Sequence, residues 1–207
     1  MLTYINNDIK FDKMTFISII CLIIVIAGIF GFLYEFFFYY LNSGMKTFYY
    51  RGGNFLPWIN IYAIGSLLIF FITYKRRKNP FKVFMLSMVI CGVLEYIAGW
   101  GIYNFSNGAR YWDYNTEILN FGNLDGYICF RSVFFFGLSS LLLIYGIVPF
   151  CFFVAKKMNK KVFIVISVAL CLLILADELY NLSIARMLDL PRASDIYKQL
   201  GFNYMEF

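Results

Sequence analysis

The chain has 207 residues, of which 61% are hydrophobic, 22% are aromatic and only 14% are charged. Soluble domains are about half apolar and about a quarter charged, so this composition excludes a soluble protein and indicates residence in a lipid bilayer. The net charge of +6 comes mainly from two short basic runs, which argues against a nucleic-acid-binding surface. The sequence contains no histidine, the commonest metal ligand, and we expect neither a metal nor a cofactor.

Five apolar runs are candidates for membrane spans, and short polar segments separate them. In chain order they are 14–41, 57–74, 81–105, 133–155 and 162–184. A spanning helix needs about 20 residues, so the second run is close to the minimum length. The sequence therefore predicts an all-α fold, in which residues 1–207 form a single membrane domain of five transmembrane helices. After these helices, Ser194 is the predicted cap of a short outer helix that ends at Gly201.

Two loops hold most of the lysine and arginine. The segment 75–82 contains five basic residues and the segment 156–161 contains four, and neither contains an acid. Short loops rich in lysine and arginine remain on the cytoplasmic side of a membrane. We therefore predict a multi-pass protein of the cell membrane, with the N-terminus in the cytoplasm and the C-terminus outside.

Three acids, Glu35, Glu95 and Asp177, lie in the outer parts of the predicted helices. Counting along its helix places Glu95 roughly 20 Å across a hydrocarbon core of about 30 Å. A carboxylate at that depth normally faces a partner or a water-filled cavity. Arg110 follows in the same part of the chain and has a long side chain. We therefore predict that Arg110 folds back onto Glu95, with Asp113 as a competing or bridging partner.

The segment 106–131 is too long to be a simple connection in so compact a chain. It contains Tyr111, Trp112 and Tyr114, which are residue types that favour the membrane–water interface. We expect this outer loop to fold back onto the ends of the helices. An ordinary belt of interfacial aromatic residues is the alternative interpretation of these side chains.

The first and third runs share a pattern of glycine and glutamate at positions i, i+3 and i+7. The two sets are Gly28, Gly31 and Glu35, and Gly92, Glu95 and Gly99. Each set lies along one helical face, where small residues let helices approach closely. An arginine follows each glutamate, 16 and 15 residues later. We predict a parallel repeat of 14–74 and 81–155, followed by a fifth helix and outer tail (162–207). Glu35 and Glu95 would then meet between the first and third helices.

The spacing of these charges leaves three functions open. The charges could form closed ion pairs that only hold loops on helices. They could bind a polar solute or relay protons during transport. They could also catalyse a reaction on a lipid-linked substrate, with a glutamate as general acid–base and an arginine on a phosphate. The sequence has no glycine-rich loop ending in Lys-Ser or Lys-Thr, so a nucleotide site of the P-loop kind is not expected.

The sequence resembles a family of small bacterial membrane proteins described as putative ABC-transporter type IV permeases. The resemblance covers roughly residues 28–155 and is strongest in the second half of that range. The matching residues there are Leu94-Glu95-Tyr96, Gly108-Ala109-Arg110, Trp112-Asp113-Tyr114 and the stretch from Asn123 to Cys129. In the first half they are Gly31, Glu35, Arg51-Gly52, Pro57, Ile61-Tyr62 and Gly65.

This resemblance implies a permease or a small-solute transport component with a polar site in the outer leaflet. A separate ATPase subunit and a second copy of the chain are the partners to consider, besides the lipid bilayer. An outer-leaflet membrane enzyme and a structural or sensory partner protein remain the alternatives. The candidate substrate-binding or coupling residues are Glu35, Glu95, Arg51, Arg110, Asp113, Trp112, Tyr114, Asn123 and Asp177.

Overall fold

The computed structural model describes residues 5–6 and 9–203, which form helices joined by loops, with a short β-ribbon near the start of the chain. The ribbon pairs β1 (Ile5–Asn6) with β2 (Ile9–Lys10) in antiparallel register. Six helices follow: α1 (Lys13–Asn42), α2 (Asn60–Thr73), α3 (Pro80–Phe105), α4 (Phe130–Lys157), α5 (Lys160–Met187) and α6 (Ala193–Gln199). Thus the predicted all-α class is confirmed.

Three long helices begin at the same end of the bundle, each behind a capping side chain. Asp12, Asn79 and Asn159 accept hydrogen bonds from first-turn N–H groups of α1, α3 and α5, at 3.3, 3.0 and 3.0 Å. Pro80 occupies the first turn of α3, where the missing N–H would have no helical partner anyway. The Nζ atom of Lys160 lies 3.1 Å from a carboxylate oxygen of Asp12, so the starts of α1 and α5 are adjacent.

Four helices, α1, α3, α4 and α5, are long and apolar enough to cross a membrane, with lengths between 26 and 30 residues. Their outward faces carry large apolar side chains such as Phe81, Val89 and Leu172. By contrast, α2 has 14 residues, which correspond to about 21 Å, whereas a hydrocarbon core is about 30 Å thick. The predicted second span, 57–74, is therefore not a full-length spanning helix.

The chain that precedes α2 enters the bundle as irregular backbone, residues 51–59, which we call the re-entrant segment. Trp58 packs on Gly28, which lies midway along α1, and its indole N–H donates to the carbonyl of Ile24 at 3.2 Å. The N–H of Ile59 donates to the Gly28 carbonyl at 3.2 Å. A Cβ atom at Gly28 would lie 1.9 Å from the Trp58 indole nitrogen, so the contact requires glycine. As a result, α2 begins halfway through the bundle.

The two halves of the bundle differ in what fills them. The half that carries the loops 75–82 and 156–161, which we call the basic end, is a closed apolar core. Phe70, Val148 and Phe163 are almost completely buried there. The opposite half, which we call the cavity end, contains the re-entrant segment and a cavity lined by charged, polar and aromatic side chains. The basic loops thus share one end of the bundle, as their common composition predicted.

The first and third helices do not pair in the predicted manner. α1 packs mainly on α2 and α5, whereas α3 packs mainly on α4 and α2. No comparably extensive interface joins α1 to α3 within residues 13–105, because α2 lies between them. Glu35 and Glu95 instead face the same cavity from different walls. The parallel repeat stays a prediction.

The C-terminal tail returns to the cavity end. Ser194 lies inside α6 instead of capping it, because α6 begins at Ala193, two residues earlier than a cap at Ser194 predicts. The Tyr197 hydroxyl donates to the Phe55 carbonyl at 2.8 Å, and the Tyr50 N–H donates to the Asn203 carbonyl at 2.8 Å. The tail therefore covers the outer side of the re-entrant segment.

Candidate functional site

A cavity of about 670 Å³ lies at the cavity end of the bundle. Its walls come from the second halves of α1 and α3, the first halves of α2 and α4, the end of α5 and both outer loops. Four glutamates line it, namely Glu35, Glu95, Glu117 and Glu178. Nine aromatic residues also line the cavity, so the site combines charge with apolar area.

Glu35 forms an ion pair with Arg51, the first residue of the re-entrant segment. The Arg51 Nε atom lies 2.8 Å from a Glu35 carboxylate oxygen, and Arg51 is only 6% exposed. The Tyr62 hydroxyl donates to the other Glu35 oxygen at 3.2 Å. Burial lowers the pKa of Arg51, but the charge of Glu35, together with smaller contributions from Tyr39 and Glu117, outweighs burial and raises the pKa above its usual value. This pair ties the re-entrant segment to α1.

A second ion pair joins Glu117 in the outer loop to Arg131 at the start of α4. The Tyr39 hydroxyl from α1 donates to the other Glu117 oxygen. The Arg131 guanidinium lies over the ring of Phe38, 4.2 Å from its centre, as cations often do over aromatic faces. Glu117 therefore links α1, the outer loop and α4. No pattern in the sequence indicated that this residue belongs to the site.

Glu95 is 4% exposed and receives its hydrogen bonds from two neutral hydroxyls. Tyr114 donates to one carboxylate oxygen at 2.5 Å, and Ser132 donates to the other at 2.9 Å. Burial, and to a smaller extent the charge of Glu95, raises the pKa of the Tyr114 phenol well above its usual value. The phenol therefore stays protonated and donates its hydrogen to Glu95. The outer loop thus folds back onto α3, as predicted, and Tyr114 is the residue that reaches Glu95.

The prediction that Arg110 pairs with Glu95 is wrong. Arg110 donates instead to the Asp125 carbonyl at 2.8 Å and lies 3.5 Å from the Asp113 carboxylate. Its guanidinium also lies over the ring of Tyr127, 5.0 Å from the centre. A Cβ atom on Gly126 would come within 2.3 Å of the Arg110 guanidinium, so glycine makes room for this arrangement. These contacts keep Arg110 within the outer loop.

The acids of α5 hold the re-entrant segment from the opposite side. Asp177 accepts the backbone N–H groups of Phe55 and Leu56 at 3.0 and 2.7 Å. Glu178 accepts the side-chain amides of Asn54 and Asn60 at 2.7 and 2.6 Å. Irregular backbone inside a membrane protein needs partners of this kind, because no lipid group can satisfy it.

A π-helical turn, Tyr180–Ile184, follows these acids directly. The turn places Asn181 where its amide donates to the Asp177 carboxylate at 2.8 Å and its oxygen accepts the Ala193 N–H at 2.7 Å. Such turns inside α-helices frequently mark functional sites. The turn connects the base of the re-entrant segment to the start of α6.

Trp112 and Asn123 hold the outer loop in place. The Trp112 indole N–H donates to the Tyr127 carbonyl at 2.8 Å, and its ring lies against Gly99 of α3. The Asn123 amide donates to the Asn115 side chain at 2.7 Å, and its oxygen accepts the Gly126 N–H. Trp112 and Asn123 therefore shape the loop that carries Tyr114.

Five of the nine candidate residues line the cavity and four do not. The lining residues are Glu35, Glu95, Arg51, Trp112 and Tyr114. The other four, Arg110, Asp113, Asn123 and Asp177, support the loops around it. The lining also includes polar residues outside the candidate set, namely Tyr39, Asn54, Asn60, Tyr62, Glu117, Arg131, Glu178, Asn181, Arg186 and Arg192. Of these residues, Tyr62 belongs to the resemblance described above, and that resemblance was a signal that could have found it.

Comparison with known proteins places this arrangement in a family. The model of the family described as "Putative ABC-transporter type IV" matches residues 22–182. The chain belongs to this family. The matched range contains α2 to α4, most of α1 and α5, and the whole of the re-entrant segment and outer loop. Among curated proteins and among solved structures, no match to the chain is found.

Membership of an ABC-transporter family, together with four membrane-crossing helices, makes this a multi-pass, transport-related membrane protein. The family description names no solute. The site residues themselves are therefore the basis for any closer assignment.

Proposed function

We propose that the chain is the membrane-embedded component of a transport system and that its cavity holds the transported solute. The observation that carries this proposal is the cavity of about 670 Å³ lined by Glu95, whose carboxylate has no cationic partner among the described residues. Pockets of this size typically enclose a small organic molecule. A buried acid that faces such a space is a typical feature of transport sites in membranes.

The two alternatives receive less support from the geometry. A site for a lipid-linked phosphate would have Arg51 and Arg110 facing the same cavity. Instead, Arg51 pairs with Glu35, and Arg110 lies in the outer loop and does not line the cavity. A purely structural cluster would be fully ion-paired and closed. Here Glu95 is bonded by neutral groups and a cavity lies beside it.

The basic end is the proposed contact surface for an ATPase subunit. The positive-inside rule puts this end in the cytoplasm, where ATP is available, and the cavity end in the outer leaflet. The loops at the basic end are short: residues 74–79 separate α2 from α3, and residues 158–159 separate α4 from α5. This small surface suits a solute-binding component better than a subunit that transmits the whole force of ATP hydrolysis.

The test uses membrane vesicles of both orientations from cells that express the wild-type chain or the variant Ala98→Trp. Ala98 lines the cavity on the same face of α3 as Glu95, so an indole there fills part of the space. Vesicles receive ATP and a mixture of isotope-labelled small metabolites, and mass spectrometry reads their contents. We expect at least one solute to be carried by the wild type and not by Ala98→Trp. Equal contents for every solute would overturn the proposal.

A matched control separates loss of the cavity from loss of the fold. Ile97 is the neighbouring residue on the lipid-facing side of α3 and is 59% exposed. The variant Ile97→Trp adds the same indole to the lipid side, and we expect its solute profile to equal that of the wild type.

A further inference from the structure

The carboxylates that line the cavity fall into two groups. Glu35 and Glu117 each lie against an arginine. Glu95 and Glu178 receive hydrogen bonds from hydroxyl or amide groups, and within the described residues no lysine or arginine forms an ion pair with either. Among the described residues, Glu95 and Glu178 are therefore cavity carboxylates without an ion-paired arginine or lysine, although Arg186 and Arg192 also belong to the lining.

Glu95 also has unused capacity to accept hydrogen bonds. A carboxylate has about four lone-pair positions, and the protein occupies one on each Glu95 oxygen, through Tyr114 and Ser132. A ligand that donates N–H bonds, or that simply carries positive charge, can approach the remaining positions. An anionic ligand would meet unfavourable charge there.

The aromatic walls of the cavity already hold cations belonging to the protein. The Arg51 guanidinium lies 3.9 Å from the centre of the Tyr39 ring, and that of Arg131 lies 4.2 Å from the centre of the Phe38 ring. Tyr34, Tyr62 and Phe135 also line the cavity. Aromatic rings around an acid are the arrangement that recognises substituted ammonium groups.

The dimensions favour an organic cation over a bare metal ion. The volume of about 670 Å³ is far larger than a metal ion needs. Within the described part of the chain, no group of three His, Cys, Asp or Glu side chains is arranged to hold a metal.

We propose that the cavity binds an organic cation whose ammonium group contacts Glu95 and whose apolar part lies against the aromatic walls. This inference rests on the proposed function, since it names the chemical class of the solute. Tyr114 and Ser132 hold the carboxylate in place, and Glu178 provides a second, shallower negative charge near the re-entrant segment.

The test measures binding of choline and benzyltrimethylammonium to the full chain in phosphatidylglycerol nanodiscs by isothermal titration calorimetry in an amine-free buffer. The neutral comparison ligand is 3,3-dimethylbutan-1-ol, which has the shape of choline without its charge. We expect the cations to bind and the neutral alcohol not to bind. Equal binding of choline and the alcohol, or no binding of either cation, would overturn the inference.

Two variants assign the binding to Glu95. Glu95→Gln keeps the shape and removes the charge, and should weaken cation binding by about tenfold or more. Ala98→Lys places an ammonium group one helical turn from Glu95 on the same face of α3 and should abolish cation binding. This variant provides a second measurement if Glu95→Gln folds poorly. Asp125→Asn is the control, because Asp125 is exposed in the outer loop and asparagine accepts its positive φ of 55°. Unchanged affinity in Glu95→Gln would overturn the inference.

Repeating the titration with phosphatidylethanolamine in the nanodisc identifies the source of the ammonium group. Weaker choline binding would mean that a lipid headgroup occupies the site, and unchanged binding would indicate a soluble amine; both support a cation site. A neutral or anionic solute in the vesicle assay would overturn the cation inference and leave the transport function standing. Tight choline binding without any transported solute would overturn the transport function and leave the cation site standing.

Discussion

The two ion-paired glutamates and the two glutamates held by neutral groups lie in one cavity but have different surroundings. Arg51 and Arg131 neutralise Glu35 and Glu117, and both pairs join a loop to a helix. Glu95 receives hydroxyl groups, and Glu178 receives amide groups. The ion pairs therefore join the loops and helices that form the walls of the cavity. The hydroxyl and amide donors, by contrast, hold the carboxylates of Glu95 and Glu178 in position without neutralising them, so that a ligand can approach.

The largest effect is expected from the variant Arg51→Met, which leaves Glu35 buried without its cation. Breaking a buried pair at one partner typically costs about 3–5 kcal/mol, so the free energy of unfolding in detergent should fall by that order. The double variant Glu35→Gln with Arg51→Met should recover most of the loss, since no lone charge remains. Arg110→Met is the control, because its pair is more exposed and contributes about 1 kcal/mol or less. A double variant no more stable than Arg51→Met would show that the pair does not act as a unit.

The next largest effect is expected from Tyr114→Phe, which removes a neutral donor from Glu95. A hydrogen bond to a charged group is worth about 1.5–3 kcal/mol, so the loss should be clear but smaller than for Arg51→Met. In the background Glu95→Gln, the same change should cost less, and a double-mutant cycle on unfolding free energies measures the difference. Strictly additive losses would mean that Tyr114 stabilises the outer loop without acting on Glu95. Tyr111→Phe, in the same loop, serves as the control.

Asp177 extends the comparison to an acid whose donors are mostly backbone groups. Asp177→Asn replaces one accepting oxygen with an NH₂ group, which cannot accept the N–H of Phe55 or Leu56. A buried donor left without a partner costs about 1–3 kcal/mol. Hydrogen exchange should accelerate in residues 51–59 and remain unchanged in α3. Asp189→Asn, at an exposed position, is the control and should leave the exchange rates of both regions as in the wild type. Slow exchange throughout residues 51–59 in Asp177→Asn would contradict the role of Asp177 as the acceptor that holds this segment.

The smallest effect concerns Asp12, an exposed acid at the basic end. The Thr15 hydroxyl and the Lys160 ammonium hold the pKa of Asp12 below its usual value of 3.8. A lowered pKa in the folded state means that the contribution to stability is present above pH 3.8 and is lost as pH falls further. Asp12→Asn should therefore be slightly less stable than the wild type at pH 6, and the difference between the two melting temperatures should shrink steadily as pH falls below 3.8. Curves that diverge on acidification would contradict the expected sign.

The sequence predicted the parts of the fold that depend on long apolar runs and on charge. Four spans, the shared end of the basic loops and the return of the outer loop onto α3 follow from these patterns. The second span failed because apolar content does not distinguish a half-length helix from a full one: Trp58 and Ile59 are buried as irregular chain against Gly28. The glycine stripe on α1 was the signal for that close approach.

The partners of the buried acids were harder to predict. Charge alone favoured Arg110 for Glu95, yet Tyr114, only four residues further along, occupies that place because the loop turns at Gly126. Glu117 contacts Tyr39, which lies 78 residues away, and no local pattern connects residues at that separation. Contacts between residues so far apart in the sequence depend on the path of the loop, which turns at several positive-φ positions, including Asn107, Leu119 and Asp125.

The position of Trp58 against the middle of α1 has an electrical consequence. With water in the cavity, the insulating layer of the protein extends only from the floor of the cavity to the basic end, through the apolar core around Phe70 and Phe163. A membrane potential would then fall across about half of the usual thickness, which strengthens the local field roughly twofold. A charge that stays at Glu95 would sense little of a potential worth about 2.3 kcal/mol per 100 mV, whereas a charge that crosses the apolar core would sense nearly all of it.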